Sequence, residues 1–178
     1  MKRKDYLIVA LTPLILLTIP FIGNFTVEGC NWSGSDFLIM GLLIAVTTFI
    51  WRLLVTRPSA TLAYRLGAGL GVGTGFLLVW VSLAVAVIGD DNPANALYLG
   101  AILAGLIGTG VARFQPRGMA RAAFAAATVT FFVPIIAWFV DANDFSPGVA
   151  PVFLLNAVFV LMFAGASLLF SHAAKPAK

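Results

Sequence analysis

Six long apolar runs, separated by short polar stretches, dominate the sequence. The runs cover residues 6–25, 37–55, 66–88, 94–112, 122–140 and 149–170. A helix needs about 20 apolar residues to cross the hydrocarbon core of a bilayer, and each run has about that length. The runs lack the alternation of apolar and polar positions that membrane barrel strands show. The pattern therefore predicts an all-α integral membrane bundle of six transmembrane helices, in a single transmembrane domain over residues 1–178.

Composition supports the same interpretation. Of the 178 residues, 61% are hydrophobic and 10% are charged, and the mean hydropathy is +1.01. Soluble domains carry about 25% charged residues, so this chain lacks the polar side chains to cover a surface in water. The lipid bilayer is therefore the first partner that the sequence predicts. The net charge of +4 gives no reason to expect a nucleic-acid partner.

The positions of the charges predict the orientation of the helices. The eleven basic residues lie at the two termini, in the second and fourth connections, or at the adjoining helix ends. Six of the seven acidic residues lie in the other three connections, and Asp5 is the exception. Because Lys and Arg are retained on the cytoplasmic side of a membrane, both termini are expected in the cytoplasm. An odd number of helices would place the termini on opposite sides, so the charge pattern supports six.

Polar residues at the edges of the runs indicate where helices begin. Asp36 is placed to cap the second helix, since a carboxylate accepts hydrogen bonds from the free N–H groups of a first turn. Asn92 followed by Pro93 predicts the start of the fourth helix, and Ser146 followed by Pro147 predicts the start of the sixth.

Glycine occupies every second position from 67 to 75, at the start of the third run. Gly67, Gly71 and Gly75 share one face of a helix because they are spaced four residues apart. Small residues let helices approach closely in a bilayer, where no hydrophobic force drives helices together. We expect this face to pack against another helix. A pore or a hinge lined by glycine is the alternative.

The chain lacks residues that many membrane enzymes and pumps require. His172 is the single histidine, Cys30 is the single cysteine, and no run carries a lysine or a carboxylate at its centre. Haem held by paired histidines, a His-rich zinc hydrolase, disulfide exchange and a retinal Schiff base are therefore excluded. A proton-coupled pump is disfavoured for the same reason. We expect no enzyme activity, no catalytic residue, no bound metal and no cofactor.

Three sets of residues are candidates for a binding site. An outward-facing ligand pocket in the outer half of the bundle would be lined by Trp80, Trp138, Asn156 and Ser82. An outer acidic rim would consist of Asp36, Asp90 and Asp91. An inner basic patch, able to bind lipid phosphate or a cytosolic partner, would consist of Arg52, Arg57, Arg65, Arg113, Arg117 and Arg121.

Each set also has a purely structural explanation. Tryptophan collects at membrane interfaces and polar side chains join helices by hydrogen bonds. Acidic residues favour outer loops and helix N-termini, and arginines set topology and extend towards water. Depth favours the pocket, because Trp80 lies about 12 Å along the helix from its expected outer end at Ile88. We therefore expect Trp80 and Asn156 to face the interior and to border one cavity, with Asp90 and Asp91 near its rim.

Two stretches near the middle of the chain carry a family resemblance. LVWVSLAVAVIGDDNPANALY (residues 78–98) and ARFQPRGMARA (residues 112–122) resemble segments of short, uncharacterised bacterial inner-membrane proteins with six predicted transmembrane helices. The resemblance covers roughly the middle of the chain and reaches upstream to Asp36 and Phe37. It implies a multi-pass protein of a bacterial inner membrane. That family has no assigned activity, so the resemblance gives no residue a function.

The sequence thus predicts a non-enzymatic multi-pass membrane protein that binds or passes a small molecule or ion, with lipid among the candidate ligands. A structural or regulatory membrane subunit is the first alternative, and it would act through a membrane-protein partner or as a homo-oligomer. An intramembrane lipid-modifying enzyme is the second alternative, and the missing catalytic residues disfavour it.

Overall fold

The computed structural model describes residues 2–57, 60–89, 92–140 and 145–175. Within these ranges the chain forms six α-helices and one 3₁₀ turn, with no strand. The helices are α1 (Arg3–Thr26), α2 (Gly34–Val55), α3 (Leu62–Ala84), α4 (Leu97–Val111, directly after the 3₁₀ turn Pro93–Ala96), α5 (Pro116–Val140) and α6 (Val149–Ala173). With the turn counted as part of α4, all six are long and apolar enough to cross a membrane. The predicted all-α architecture with six such helices is confirmed.

The helices group into two compact units, Met1–Pro58 and Ser59–Lys178. In the first unit, α1 packs along α2. In the second unit, α6 packs against both α3 and α5, and α5 also packs against α4. The expectation of a single domain over residues 1–178 stays a prediction, as does the cytoplasmic location of both termini.

Short polar side chains fix the first turns of α2 and α3. The Asp36 N–H donates to Ser33 Oγ (3.3 Å), and the Ser33 N–H donates to the Asp36 carboxylate (2.7 Å). The reciprocal pair satisfies N–H groups that have no partner within the helix. Thr61 opens α3 by accepting from the Tyr64 N–H (3.3 Å). The N-cap of α2 is therefore Ser33, and the predicted cap Asp36 lies three residues inside.

The end of α3 differs from the sequence prediction. The helix stops at Ala84, and the chain passes through Ala86 in the left-handed region (φ 44°). Val87 and Ile88 then turn into the protein and are almost completely buried. Asn95 Oδ1 accepts a hydrogen bond from each of their N–H groups, both at 3.1 Å, and replaces the partners that a helix would supply. An apolar run does not reveal such an end, because buried loops and helices use the same side chains.

The starts of α5 and α6 differ as well. α5 begins at Pro116, ahead of the predicted residue 122, because proline at the first helical position lacks an N–H group that would have no partner. α6 begins at Val149 after Gly148, whose φ of 138° favours glycine. The N-cap of this helix is therefore Gly148 and not Ser146, whose N–H donates to the carbonyl of Ile88 (2.9 Å).

Glycines mark the closest helix contacts of the second unit. A Cβ on Gly67 would lie 3.3 Å from the carbonyl oxygen of Ala166 on α6. A Cβ on Gly71 would lie 3.6 Å from the Cβ of the same Ala166. A Cβ on Gly108 of α4 would lie 2.7 Å from the Cβ of Ala122 on α5. The prediction that Gly67 and Gly71 face a neighbouring helix is therefore confirmed.

The second unit has two chemically different ends. At one end, the Tyr64 hydroxyl near the start of α3 donates to the carbonyl of Phe114 between α4 and α5 (3.0 Å). Near this end the Ser167 hydroxyl on α6 donates to the Ala120 carbonyl on α5 (2.8 Å). We call it the basic end because its cations are Arg65, Arg113, Arg117, Arg121 and Lys175. The opposite end carries the buried residues of the α3–α4 connection and Phe145.

Candidate functional site

Trp80 and Ser82, two residues of the predicted ligand pocket, lie near the end of α3. Leu78 is completely buried, and at 3.6 residues per turn Trp80 lies about 200° around the helix from it. The Trp80 side chain is accordingly 41% exposed and contacts the ring of Phe76 on the same helix, with centroids 6.1 Å apart. The Ser82 hydroxyl donates to the Leu78 carbonyl (2.7 Å). Trp80 thus lies on the exposed side of α3, where the sequence analysis expected it to face the interior.

Trp138 lies near the end of α5 and is 44% exposed. Its ring makes edge contacts with Phe145 and Phe153, with centroids 6.0 Å and 6.3 Å away. Phe145 and Phe153 are themselves stacked at 6.3 Å. An aromatic cluster at a helix end, partly open, has the form of an interfacial anchor in a membrane protein.

Asn156 faces the interior of the second unit, as the sequence analysis expected. The Tyr98 hydroxyl on α4 donates to Asn156 Oδ1 at 3.1 Å, and both residues are buried. The surrounding buried core includes Leu78, Val133 and Phe159. Asn156 therefore joins helices within a packed core, and its placement together with that of Trp80 does not support a pocket wall shared by the two.

The connections at the opposite end cover this core. Ile88 and Phe145 belong to the same buried cluster as Tyr98, so residues from two connections pack onto the helices. The Ser146 N–H donates to the Ile88 carbonyl (2.9 Å), and Asn95 Nδ2 donates to the Gly89 carbonyl (2.6 Å). Side chains and hydrogen-bonded backbone thus occupy the region where the sequence analysis placed the mouth of a pocket.

The predicted acidic rim is only partly described. Asp36 takes part in the capping box of α2, which accounts for its position. Asp90 and Asp91 lie outside the described residues. Within the part of the chain that the structure describes, no group of three His, Cys, Asp or Glu side chains could hold a metal ion.

The predicted basic patch divides between the two units. In the first unit, the Arg52 guanidinium forms an ion pair with the carboxylate of Asp5, which is 4% exposed. This pair explains why Asp5 is the exception to the charge pattern. Arg57 and Arg113 also have interaction partners. In the second unit, the predicted arginines Arg65, Arg113, Arg117 and Arg121 all have exposed side chains.

An open groove of about 480 Å³ lies between the start of α5 and the end of α6, at the basic end. We call it the α5–α6 groove. The side chains that give it its chemistry are Arg117, Arg121, Phe124, Ser167, Ser171 and Lys175.

Helical spacing brings these side chains to one side of each helix. Arg117 and Arg121 are four residues apart on α5, and Ser167 and Ser171 are four residues apart on α6, so each pair lies on one helix face. The hydrogen bond from Ser167 to the Ala120 carbonyl fixes the two helices to each other at the groove. The groove is therefore built between two elements in direct contact.

The electrostatics of the groove favour an anion. Arg117, Arg121 and Lys175 are exposed, and none pairs with a carboxylate among residues 2–57, 60–89, 92–140 and 145–175. The N-terminus of α5 and the C-terminus of α6 contribute partial charges of about +0.5 and −0.5, which offset each other. The three side chains thus set the net positive charge. Guanidinium, ammonium and hydroxyl groups donate hydrogen bonds to phosphate or carboxylate oxygens.

Arg117 and Arg121 belong to the basic patch that the sequence predicts, whereas four of the side chains around them were not predicted. Phe124 follows Arg117 and Arg121 on the same α5 face, which is a signal that the sequence contains. Ser167, Ser171 and Lys175 also lie close together in the sequence. The missing information was that the end of α6 packs beside the start of α5. Tyr98, the partner of Asn156, was missed because nothing in the sequence pairs the two positions.

Comparison with known proteins does not place the chain in a family. No protein-family model, no curated protein and no solved structure matches it. What the helices themselves show is six segments able to cross a membrane, and this is compatible with a multi-pass membrane protein.

Proposed function

We propose that this chain is a non-enzymatic multi-pass protein of a bacterial inner membrane, with both termini in the cytoplasm, that binds a small anionic molecule in the α5–α6 groove. The observation that carries the proposal is the convergence of Arg117, Arg121 and Lys175 with the Ser171 hydroxyl on one groove. The three cations lie at one opening, and an anion bound there would offset their mutual repulsion.

Binding at one end is better supported than passage through the second unit. The interior near Asn156 is part of a buried core, and Ile88 and Phe145 pack over it at the opposite end. A groove that is open on one side, with a packed core beyond, suits a ligand that enters and leaves by the same route. We therefore propose a binding site at the basic end, in place of the pocket that the sequence predicted in the outer half of the bundle.

Binding of sn-glycerol 3-phosphate tests this proposal. The full chain in a neutral maltoside detergent is expected to bind the phosphate ester saturably and to ignore glycerol, in titration calorimetry. Arg121→Gln should weaken binding, because it removes one of the donors of the groove. Arg65→Gln is the matched control, since Arg65 is also exposed at the basic end but does not line the groove. An equal loss of binding affinity in Arg121→Gln and Arg65→Gln would indicate that the overall charge of the basic end attracts the phosphate ester. That result would contradict the proposed site.

A structural or regulatory membrane subunit is the second candidate. The buried hydrogen bond between Tyr98 and Asn156 favours it, because these polar side chains join two helices and need no ligand to satisfy them. Absence of anion binding to the wild-type chain, together with co-purification of a membrane-protein partner in stoichiometric amount, would make this the better interpretation.

A further inference from the structure

The α5–α6 groove changes in character along the helix axis. Arg117 lies in the first turn of α5, and Phe124 lies seven residues further on, about 10 Å deeper along the helix. Phe124 is 64% exposed although it lies inside a helix apolar enough to cross a membrane. The groove thus leads from a cationic opening at the helix end to an exposed aromatic ring within the apolar segment of α5.

We infer that the α5–α6 groove binds an anionic phospholipid, with its phosphate among Arg117, Arg121, Ser171 and Lys175 and an acyl chain beside Phe124. The inference rests on the proposed function and narrows the small anionic molecule to a lipid of the surrounding leaflet. A phospholipid carries its phosphate at the membrane surface and its hydrocarbon chains beneath it. The groove has its cations and its aromatic ring in the same order.

Free phosphate and soluble phosphate esters offer the same charged oxygens, so the cations alone do not distinguish a soluble ligand from a lipid. Phe124 makes the distinction, because an acyl chain would bury the exposed ring, whereas a soluble ester such as glycerol phosphate has no hydrocarbon chain to cover it. Lipid is also always present beside a transmembrane helix. Both considerations favour the lipid.

Net charge on the headgroup decides which phospholipid fits. Phosphatidylglycerol carries a phosphate and no cation, whereas phosphatidylcholine carries its phosphate beside a quaternary ammonium group. Three cations at the opening repel that ammonium group and attract the phosphate in both lipids. The groove should therefore prefer phosphatidylglycerol.

Arginines near helix ends commonly extend to the headgroup level one by one, and this would produce no specific site. The geometry here is different because the donors come from two helices. Arg117 and Arg121 lie on α5, whereas Ser171 lies on α6 and Lys175 lies just past the end of α6. The Ser167–Ala120 hydrogen bond fastens α6 to α5 beside Arg121, so the arginines of α5 and the polar residues at the end of α6 border the same opening. A lipid held by the groove would be selected by both helices at once.

Native mass spectrometry of the full chain in a neutral detergent tests the inference. Phosphatidylglycerol and phosphatidylcholine with identical acyl chains are added in equal amounts, and the ratio of the two bound lipids is measured. Wild type should retain phosphatidylglycerol in excess. Arg121→Gln should reduce that excess about fivefold, the contribution of one Lys or Arg to anionic-lipid binding near a membrane surface. Arg65→Gln should leave it unchanged.

A second variant separates the lipid from a soluble phosphate. Phe124→Ala should weaken the retention of phosphatidylglycerol by a larger factor than the binding of sn-glycerol 3-phosphate, because only the lipid has an acyl chain to bury the ring. Phosphate-ester binding that depends on Arg121, without any preference for phosphatidylglycerol, would overturn the lipid inference and leave the proposed function standing. An equal loss of lipid in Arg121→Gln and Arg65→Gln would also overturn it. If neither ligand bound, the proposed function would fall as well.

Discussion

The Tyr98 hydroxyl on α4 and the side-chain oxygen of Asn156 on α6 are 3.1 Å apart, and the tyrosine donates a hydrogen bond to the asparagine. The two residues are only 2% and 3% exposed. Both helices pack against α5, and this hydrogen bond joins them directly. Because neither polar group can reach water from the core, each depends on the other.

Tyr98→Phe should therefore lower the free energy of unfolding. Asn156 Oδ1 loses its donor, and a buried group without a partner costs about 1–3 kcal/mol in proteins, although hydrogen bonds within membrane bundles average nearer 0.6 kcal/mol. Unfolding in mixed micelles with increasing SDS measures the change. The double variant Tyr98→Phe/Asn156→Leu should recover part of the loss, since it removes both polar groups. A Tyr98→Phe protein as stable as wild type would show that the hydrogen bond does not contribute.

Gly71→Leu should destabilise the contact between α3 and α6. A Cβ at this position already lies 3.6 Å from the Ala166 Cβ, so the further carbons of leucine overpack the interface at a cost of about 1–3 kcal/mol. Gly73→Leu is the matched control, because a Cβ there has nothing within 4 Å. Ala68 is unsuitable as a control because it is buried. Thermal unfolding in detergent compares the variants, and equal midpoints for the two leucine variants would contradict the contact.

Asp5→Asn should loosen the first unit. It removes the charge that Arg52 pairs with, while Arg52 Nε is already buried without a hydrogen-bond partner. Amide hydrogen exchange followed by mass spectrometry should show faster exchange in α1 and α2, with little change in α3–α6. Glu28→Gln controls for the loss of one negative charge, since Glu28 is exposed. Exchanging the two residues, Asp5→Arg with Arg52→Asp, should restore slow exchange. If exchange in α1 and α2 stayed fast in the double variant, charge pairing between these two positions would not be what stabilises the first unit.

Reporter fusions should reveal the topology. A reporter fused after residue 178 is expected to be active in the cytoplasm, and one inserted at Ser33 is expected to be active outside. The physical reason is the retention of Lys and Arg on the cytoplasmic side. A carboxyl-terminal fusion that responds as external would contradict the orientation and the even number of crossings.

Much of the helical framework follows from the sequence alone. In lipid, the backbone N–H and C=O groups of an apolar run of about 20 residues must form hydrogen bonds within the protein. A helix forms all of these bonds within one segment and needs no other segment. Some local signals were also sufficient, since Asn92 and Pro93 open the 3₁₀ turn before α4. The four-residue spacing of Gly67 and Gly71 was enough to predict a face that packs closely.

Helix ends and helix partners needed the tertiary structure. α3 stops at Ala84 because Asn95, from beyond the following connection, binds the backbone of Val87 and Ile88. No pattern within residues 66–88 contains that information. The depth of Trp80 likewise suggested an inward orientation, but its angular position relative to the buried Leu78 leaves it exposed.

The sequence by itself determined which residues can cross a membrane and which connections carry positive charge, because length, apolarity and charge are properties of single segments. Only the tertiary structure decided that Arg117 and Arg121 share a groove with Ser171 and Lys175, and that Asn156 pairs with Tyr98. The segments are apolar on every side, so hydrophobicity does not distinguish the face that meets another helix from the face that meets lipid. Contacts between specific side chains make that choice, and they join residues far apart in the chain.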